Sequence, residues 1–473
     1  MKISRTLRYG GYSTLVIVAV IAIVAGLNLL VDKLPWRADM TVEGFFSLSD
    51  QTSKVLAAVR TPIAVLELWE AGREDAKVAE LLRQYQTRSR LLQVRQVDPY
   101  RSPLELKKYE VAGAPPAAGS LVIDAGGRFK VLRTADLYEM QQDPSTGEQV
   151  PTRFIAESAV TNAIASVTAA KDPVLYFLQG HGEKRLQAAL SDRLTKAFYD
   201  VRGLTLATLD AVPADADMVI AVSPQQDILP REEQALVSYL RERGGKMLLL
   251  SDIGSSPQPE LGRLLESFGM VIRPWLVVER SADQFLPNQP YVLIPTIGSH
   301  PITDPNVHAS MPILFPLSQV IQKLSAVRRT VSMQPLLAST SRAYAKVDLQ
   351  DASGEKGPKD VDGPFVLAAA VTDTGEVGEK PSRMVVMASS HFIFPTESMG
   401  RLEENENLFM NSLSWLQDRP ELISIPPKTI SGNRYSLNLS QLQFLLFGGV
   451  AVLLIPLSIF SAGLVTWLRR RHK

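Results

Sequence analysis

The stretch Val174–Glu183 reads VLYFLQGHGE, in which five apolar or aromatic residues run directly into a turn with two glycines around His181. A run of this length, bounded by Pro173 and by glycine, predicts a buried strand. Gly180 and Gly182 allow the backbone a sharp turn and close approach to another group. We therefore expect a strand, a tight turn and then a helix.

The same pattern recurs along the chain. Further buried strands are predicted at Met218–Val222, Lys246–Leu250 and Met384–Ala388, and helices are predicted from Pro230 to Gly244-Gly245 and over Asn405–Leu416. Alternation of this kind indicates the α/β class, with an open, mostly parallel sheet covered by helices on both faces. We assign residues 151–425 to this domain. Residues 280–382 give weak signals and are predicted to be an insertion, with an exposed, mobile loop at Gly354–Gly363.

Residues 41–150 predict a smaller α/β domain. Ile63–Trp69 has the composition of a strand, Glu74–Arg88 carries an apolar stripe at helical spacing, and Leu91–Val97 is a second strand. This order predicts a parallel β-α-β unit. The unit is similar to a thioredoxin-like half, but without cysteine it cannot perform thiol redox chemistry. Gly126-Gly127 predicts a hairpin after it.

Both ends of the chain predict membrane-spanning helices. Tyr12–Val31 and Phe444–Trp467 carry no formal charge and are long enough to cross a hydrocarbon layer of about 30 Å. A cleaved signal peptide is the alternative for the first stretch, although its apolar core is usually shorter. Basic residues at the outer flank of each stretch predict that both tips are cytoplasmic. Residues 1–40 and 426–473 then contain the two anchors with their tips. The bulk of the chain between them is expected to be periplasmic.

Composition excludes several classes of function. Lys and Arg number 50 against 49 Asp and Glu, so no global basic field exists to attract nucleic acid. The absence of cysteine removes thiolate metal sites and cysteine nucleophiles. The histidines show no His-x-x-x-His or His-Glu-x-x-His spacing, so neither a metal nor another cofactor is expected.

Candidate site residues stand where the predicted strands end. Ligands of open α/β sheets bind at the carboxyl ends of the strands. The rule selects five candidates for binding a ligand or a partner, which follow four of the predicted strands: His181, Glu183, Ser223, Asp252 and His391. Ser251, Ser389 and Ser390 lie beside them in the sequence.

Two interpretations of His181 and Glu183 remain open. They can form a general-base or ligand site, and a membrane-tethered hydrolase built on them is the alternative function. They can equally form a capped turn, with Glu183 near the start of the next helix. A serine hydrolase based on Ser389 or Ser390 is not expected, because no Gly-x-Ser-x-Gly elbow occurs.

The order of these features resembles the GldG-type auxiliary subunits of ABC-2-type transport systems, known from gliding motility. The similarity covers nearly the whole chain and rests on its terminal spans and on five stretches: Glu157–Ala169 running into Val174–Glu183, Val219–Ser223 followed by Glu232-Glu233, Gly244-Gly245-Lys246, Leu408–Leu416 and Asn433-Arg434-Tyr435. One departure is Ser389-Ser390-His391-Phe392, where the family often has Gly-Asp ahead of the Phe.

The resemblance implies a class I glutamine amidotransferase-like domain without its catalytic machinery, which agrees with the lack of cysteine. It also implies a non-enzymatic subunit of the bacterial inner membrane that works with a separate ABC-2-type permease and a cytoplasmic ATPase. Membrane lipid is a further expected partner, and the periplasmic body is expected to bind an envelope protein or glycan.

Overall fold

The computed structural model describes residues 47–70, 72–111, 113–142, 149–169, 171–197, 199–254, 256–307, 312–350, 355–376, 378–394, 403–417 and 428–429, with six residues between 461 and 469. The chain divides into two compact units, and Leu48–Ile430 holds almost all of the described residues. Both predicted membrane spans lie outside the described residues, apart from a few positions near the end of the second. Within the described residues, no helix is long and apolar enough to cross a membrane.

The first part of this unit is built on a four-stranded sheet. Its elements are α1 (Asp50–Ala58), β1 (Ile63–Leu68), α2 (Ala76–Arg88), β2 (Leu92–Gln96), α3 (Pro103–Leu106), β3 (Ser120–Asp124), β4 (Phe129–Leu132), α4 (Thr134–Leu137), β5 (Tyr138–Gln142), β6 (Gln149–Phe154) and α5 (Ala156–Thr168). The sheet has the order β2-β1-β3-β4, with β1 and β2 parallel and β3 and β4 forming the predicted hairpin. The Asp75 carboxylate caps α2 by accepting from the Lys77 and Val78 amides at 2.9 and 3.2 Å.

Helix α5 packs against this first sheet, although it follows residue 150. It contacts α1, α4, β3 and β4. Its buried face includes Val160, Ala163 and Ile164, and Tyr85 of α2 donates a hydrogen bond to the Glu157 carbonyl at 3.0 Å. The division at residue 150 remains a prediction, and these contacts favour a boundary after α5.

The second part is built on a ten-stranded mixed sheet. The remaining elements are β7 (Val174–Leu178), α6 (Ala188–Lys196), β8 (Asp200–Leu204), β9 (Met218–Val222), α7 (Pro230–Arg241), β10 (Lys246–Leu250), α8 (Pro259–Ser267), β11 (Met270–Arg273), β12 (Leu276–Val278), β13 (Phe285–Leu286), β14 (Gln289–Leu293), β15 (Thr296–Ile297), α9 (Asp304–Val307), β16 (Phe315–Pro316), β17 (Val320–Lys323), β18 (Val331–Ala338), β19 (Tyr344–Lys346), β20 (Val361–Asp362), β21 (Val366–Asp373), β22 (Ser382–Met387), α10 (Glu403–Leu416) and β23 (Lys428–Thr429). The order is β11-β17-β21-β22-β10-β9-β7-β8, with β18 beside β21 and β15 beside β18.

The predicted α/β class is confirmed, but only one half of the sheet is parallel. Strands β7, β9, β10 and β22 run parallel, as expected, and so does β8, which the sequence patterns did not predict. From β21 outward the pairing is antiparallel. The segment 280–382, predicted to be an insertion, supplies β15, β17, β18 and β21 to this sheet. The predicted mobile loop at Gly354–Gly363 ends in β20, which pairs with β19.

Apolar residues on both faces of the parallel strands create two cores. In β10, Leu248 and Leu250 point to one face, whereas Met247 and Leu249 point to the other. Helix α10 covers the first face with Leu408, Phe409, Leu413 and Leu416, and helices α7 and α8 cover the second. Because helices cover both faces, polar side chains in this half collect at the two ends of the strands.

Candidate functional site

Five polar residues meet at the carboxyl ends of the central strands and are called the Asp252 cluster: Lys184, Ser223, Asp252, Ser390 and His391. Ser223 follows β9 directly, Asp252 comes shortly after β10, and Ser390 and His391 come shortly after β22. Since β9, β10 and β22 are parallel neighbours, these chain positions converge at one edge. Topology therefore brings together residues that are far apart in sequence.

The Asp252 carboxylate is the centre of this cluster. Its Oδ2 accepts hydrogen bonds from Lys184 Nζ, Ser223 Oγ and Ser390 Oγ, each at 2.6 Å. Its Oδ1 accepts from the Ser390 amide at 2.5 Å, and His391 Nε2 lies 3.8 Å from Oδ2. With four donors around it, this carboxylate is already occupied by the protein itself.

Backbone strain at Ser223 helps to assemble the cluster. Its φ of 52° lies in the left-handed region, which costs a residue with a side chain about 1–2 kcal/mol. The conformation is held because the Ser223 amide donates to the Leu250 carbonyl at 2.7 Å and Gln225 Nε2 donates to the Ser223 carbonyl at 2.9 Å. The strained turn presents the Ser223 hydroxyl to Asp252.

Burial and hydrogen bonding oppose each other at Asp252. Burial alone would raise the pKa of its carboxyl, but the donors Lys184, Ser223 and Ser390 outweigh burial and hold the pKa below its ordinary value. Burial lowers the pKa of His391, and the nearby Lys184 ammonium lowers it further against the opposing effect of Asp252. Near neutral pH the cluster therefore contains a carboxylate at Asp252 and a neutral imidazole at His391.

His181 lies in a separate buried group with Glu183 and Glu232. Its Nδ1 is 2.9 Å from Glu183 Oε1, and its Nε2 is 2.9 Å from Glu232 Oε2. The three side chains are 7%, 6% and 0% exposed, respectively. The His181 amide donates to Glu183 Oε2 at 2.8 Å, which closes the Gly-His-Gly-Glu turn on itself.

This arrangement favours a charged imidazole. The hydrogen bond to Glu183 raises the pKa of His181 most, and Glu232 raises it further against burial. Burial would raise the pKa of Glu183, but the hydrogen bond from His181 and backbone donors lower it overall. A protonated ring with both nitrogens engaged has no lone pair for general-base catalysis, so the geometry matches a fixed turn.

The reachable groups of the Asp252 cluster are cationic or neutral donors. Lys184 and His391 are each 33% exposed, whereas Asp252 is 6% exposed. Ser389 does not face the His391 ring: its hydroxyl donates to the Pro316 carbonyl at 2.6 Å and accepts from the His391 amide at 3.1 Å. In the described part of the chain, no group of three or more His, Asp or Glu side chains is arranged to hold a metal ion. Both serine hydroxyls of the cluster donate to Asp252, and the partly exposed groups can offer hydrogen bonds to a docked surface.

Residues 172–419, just over half of the chain, match the model of a family of ABC transporter auxiliary proteins described as an ABC-type uncharacterized transport system. The chain belongs to this family. The matched segment begins just before β7 and ends just after α10, so it covers the ten-stranded sheet together with the Asp252 cluster. The family match thus covers the part of the chain that carries the candidate site.

Two solved structures are distantly similar to this auxiliary protein. The N-terminal domain of mmIFT52 aligns at 17% identity with a TM-score of 0.37 over 51% of this chain and 97% of that chain. A putative ThuA-like protein from Bacteroides uniformis aligns at 15% identity with a TM-score of 0.27 over 52% and 93%. No curated protein matches the chain.

The predicted candidates fall into two places. Ser223, Asp252 and His391 are together in the Asp252 cluster, while His181 and Glu183 pair with each other in the buried group. The carboxylate of Glu183 closes its own turn and does not cap the next helix. Ser251 accepts a hydrogen bond from Gln319 at 3.2 Å outside both groups. Whether any of these residues binds a partner stays a prediction.

Sequence reasoning missed Lys184 and Glu232. Lys184 directly follows the Gly-His-Gly-Glu turn, and its position at a strand end was the signal available. Glu232 lies in the first turn of α7, where its carboxylate accepts from the Leu229 amide at 2.7 Å. A glutamate three residues into a helix indicates a cap, but nothing in its spacing from His181 predicts their contact.

Proposed function

We propose that this protein is a non-catalytic, two-pass auxiliary subunit of an ABC transporter in the bacterial inner membrane. The observation that carries the proposal is the match of residues 172–419 to the auxiliary family. A separate ABC-2-type permease and a separate cytoplasmic ATPase complete the complex. The finer resemblance to GldG-type subunits, with an amidotransferase-like scaffold and a thioredoxin-like smaller domain, belongs to this proposal.

The two terminal segments support membrane anchoring. Tyr12–Val31 and Phe444–Trp467 are uncharged, and Lys or Arg residues stand at the outer flank of each. In the proposed topology both tips are cytoplasmic, the compact unit Leu48–Ile430 is periplasmic, and the anchors pack against lipid and the permease.

Single-cysteine labelling tests this topology directly, because the chain has no cysteine of its own. Leu104 is 86% exposed. We expect Leu104→Cys to react with a membrane-impermeant maleimide in intact spheroplasts. Lys2→Cys and Arg470→Cys, the matched controls in the two tips, should react only after lysis. Protection of Leu104→Cys until lysis would overturn the proposed orientation.

The Asp252 cluster supports a docking role for the periplasmic body. Its carboxylate is held by four donors within the protein, and its partly exposed members, Lys184 and His391, can donate hydrogen bonds to an envelope protein or glycan. Lys184→Gln with His391→Ala should abolish transport while the complex remains assembled. Unchanged transport by this double variant would remove the cluster from the proposed docking surface.

The alternative function is a membrane-tethered hydrolase that uses His181 and Glu183. The pairing of both imidazole nitrogens with buried carboxylates weighs against it. Replacing both residues by Ala discriminates between the two functions. Loss of function with intact assembly would support a site there, whereas an unchanged phenotype would eliminate the hydrolase.

A further inference from the structure

A basic cleft lies at the edge of the large sheet opposite the Asp252 cluster. It has a volume of about 610 Å³, within the usual range of small-molecule sites. Lys171 precedes β7, Asp217 precedes β9, Lys246 begins β10 and Lys380 precedes β22, so the amino ends of four parallel strands border it. The cleft contains the Gly244-Gly245-Lys246 stretch, to which the proposed function gives no role.

Cations dominate the lining of this cleft. Among the described residues that line it, the cations Lys171, Arg243 and Lys380 outnumber one carboxylate, that of Asp217. Asp217 Oδ2 is already engaged, because it lies 2.9 Å from Lys171 Nζ and accepts from the Val174 amide at 2.9 Å. The described lining of the cleft therefore carries an excess of positive charge in a chain whose total charge is nearly neutral.

The wall of the cleft is preorganised. Arg243 donates to the Val212 carbonyl at 2.6 Å and to the Pro213 carbonyl at 2.8 Å, and its guanidinium lies 5.4 Å from the centre of the Tyr239 ring. Tyr239 OH accepts from the Lys246 amide at 3.2 Å. Cations that are held in place before binding lose less entropy when a ligand arrives.

A second observation points to a ligand. Nε2 and Oε1 of Gln417, which lines the same cleft, are buried and form no hydrogen bond within the described residues. An unsatisfied buried amide costs about 1–3 kcal/mol. An anionic oxygen in the cleft would satisfy the Nε2 donor while it neutralises the surrounding cations.

We propose that this cleft binds a phosphate-bearing anion. A phosphate carries up to two negative charges on three acceptor oxygens, which suits several lysines around one space better than a singly charged carboxylate does. The phosphate can belong to a soluble molecule or to a lipid headgroup. The proposal is independent of the transporter assignment, because binding is measured on the purified chain alone.

Calorimetric titration of the full-length protein in neutral detergent tests the proposal, with inorganic pyrophosphate as the soluble probe. Short-chain phosphatidic acid, with short-chain phosphatidylcholine as its neutral match, is the headgroup probe. We expect saturable binding of at least one phosphate probe and no binding of the neutral lipid. Preference for one probe identifies the source of the phosphate.

Two variants locate the binding. Lys171→Glu with Lys380→Glu should weaken binding about 100-fold, or about tenfold for each charge-assisted contact. Lys107→Glu changes an exposed lysine that does not line the cleft and should leave affinity unchanged. No saturable binding to the wild type, or equal weakening by Lys107→Glu and by the cleft variant, would overturn the proposal.

Discussion

At the scale of single residues, the charged groups at the strand ends satisfy one another. Asp252 binds four donors and His181 is held between two carboxylates, so neither presents a free reactive atom. Buried polar groups are tolerated when they are hydrogen-bonded, and each of these charged side chains has at least one partner, although Glu232 Oε1 has none within the described residues. The two groups therefore fix the strand-end loops in one conformation.

Asp252→Asn tests this interpretation. The amide keeps the shape of the side chain but loses the charge that pairs with Lys184. We expect the free energy of unfolding to fall by about 1–3 kcal/mol. The loss is limited to this range because Lys184 is partly exposed and can reach water. Asp215→Asn, at an exposed carboxylate, should change stability far less. Equal effects in chemical denaturation would contradict the central role of Asp252.

His181 predicts a pH dependence with a definite sign. Its pKa is raised in the folded state, so the proton is bound more tightly there than in the unfolded chain. The resulting stability is fully present below the ordinary histidine pKa of about 6.5 and is lost as pH rises through the raised value. His181→Gln should remove this loss from a series of denaturation curves at increasing pH. An unaltered pH profile in the variant would contradict the buried ion group.

At the scale of elements, sequence patterns located four of the five parallel strands of the large sheet, missed β8, and located the antiparallel strands poorly. Met218–Val222 and Lys246–Leu250 are continuous apolar runs and match β9 and β10. Strand β21 contains Ala368, Ala369 and Ala370, whose intrinsic preference is helical, and Pro335 interrupts its partner β18. Burial and pairing override local preference there, which no single-sequence pattern reveals.

The candidate site, like the strands, could be predicted from the sequence only in part. The strand-end rule found Ser223, Asp252 and His391 because topology alone brings them together. It could not separate them from His181 and Glu183, since that difference depends on the side-chain contact with Glu232 across the turn.

Gly245 and Gly262 make a matched pair for testing the basic cleft wall. A Cβ at Gly245 would lie 2.5 Å from the Tyr239 ring and 2.6 Å from the Tyr239 carbonyl oxygen, whereas a Cβ at Gly262 in α8 meets nothing within 4 Å. We expect Gly245→Ala to destabilise by about 1–3 kcal/mol and Gly262→Ala to stabilise by up to about 1 kcal/mol. Thermal unfolding measures both, and shifts of the same sign would contradict the close packing of Gly245 against Tyr239.

A buried ion pair joins β23 to α5. Lys428 Nζ lies 2.9 Å from Glu157 Oε2, with side chains 8% and 4% exposed, and Glu157 Oε1 accepts from the Ser49 amide at 2.7 Å. Burial would raise the pKa of Glu157, but Lys428 lowers it overall. Segments from the two ends of the compact unit thus meet at one carboxylate.

Lys428→Met should lower the free energy of unfolding by about 3–5 kcal/mol, because it leaves the buried Glu157 carboxylate charged and without its ion-pair partner. The double change with Glu157→Gln should recover most of this loss, and Arg73→Ala, at an exposed pair, should have little effect. The Lys428–Glu157 contribution is present above the ordinary glutamate pKa and is lost as pH falls through the lowered value. Additive single effects in a double-mutant cycle would show that the pair does not interact.

At the scale of the whole molecule, near-neutral charge conceals local extremes. The two terminal segments carry no formal charge, the sheet has a cation-rich cleft at one edge, and the opposite edge holds an internally neutralised cluster. The near-zero net charge of the 473-residue chain excludes a surface that is positively charged throughout and attracts nucleic acid. It cannot show where charge is concentrated, because that depends on which strand ends meet.

Affinity purification from native membranes in a mild detergent, followed by mass spectrometry, tests the central claim most directly. The tagged full-length protein should retain one ATPase and one multi-span permease. Val18→Asp with Ile21→Asp, which places charge within the first apolar segment, should lose both partners. Recovery of the wild-type protein as a stable solitary chain, with neither partner enriched over the variant, would contradict its assignment as a transporter subunit.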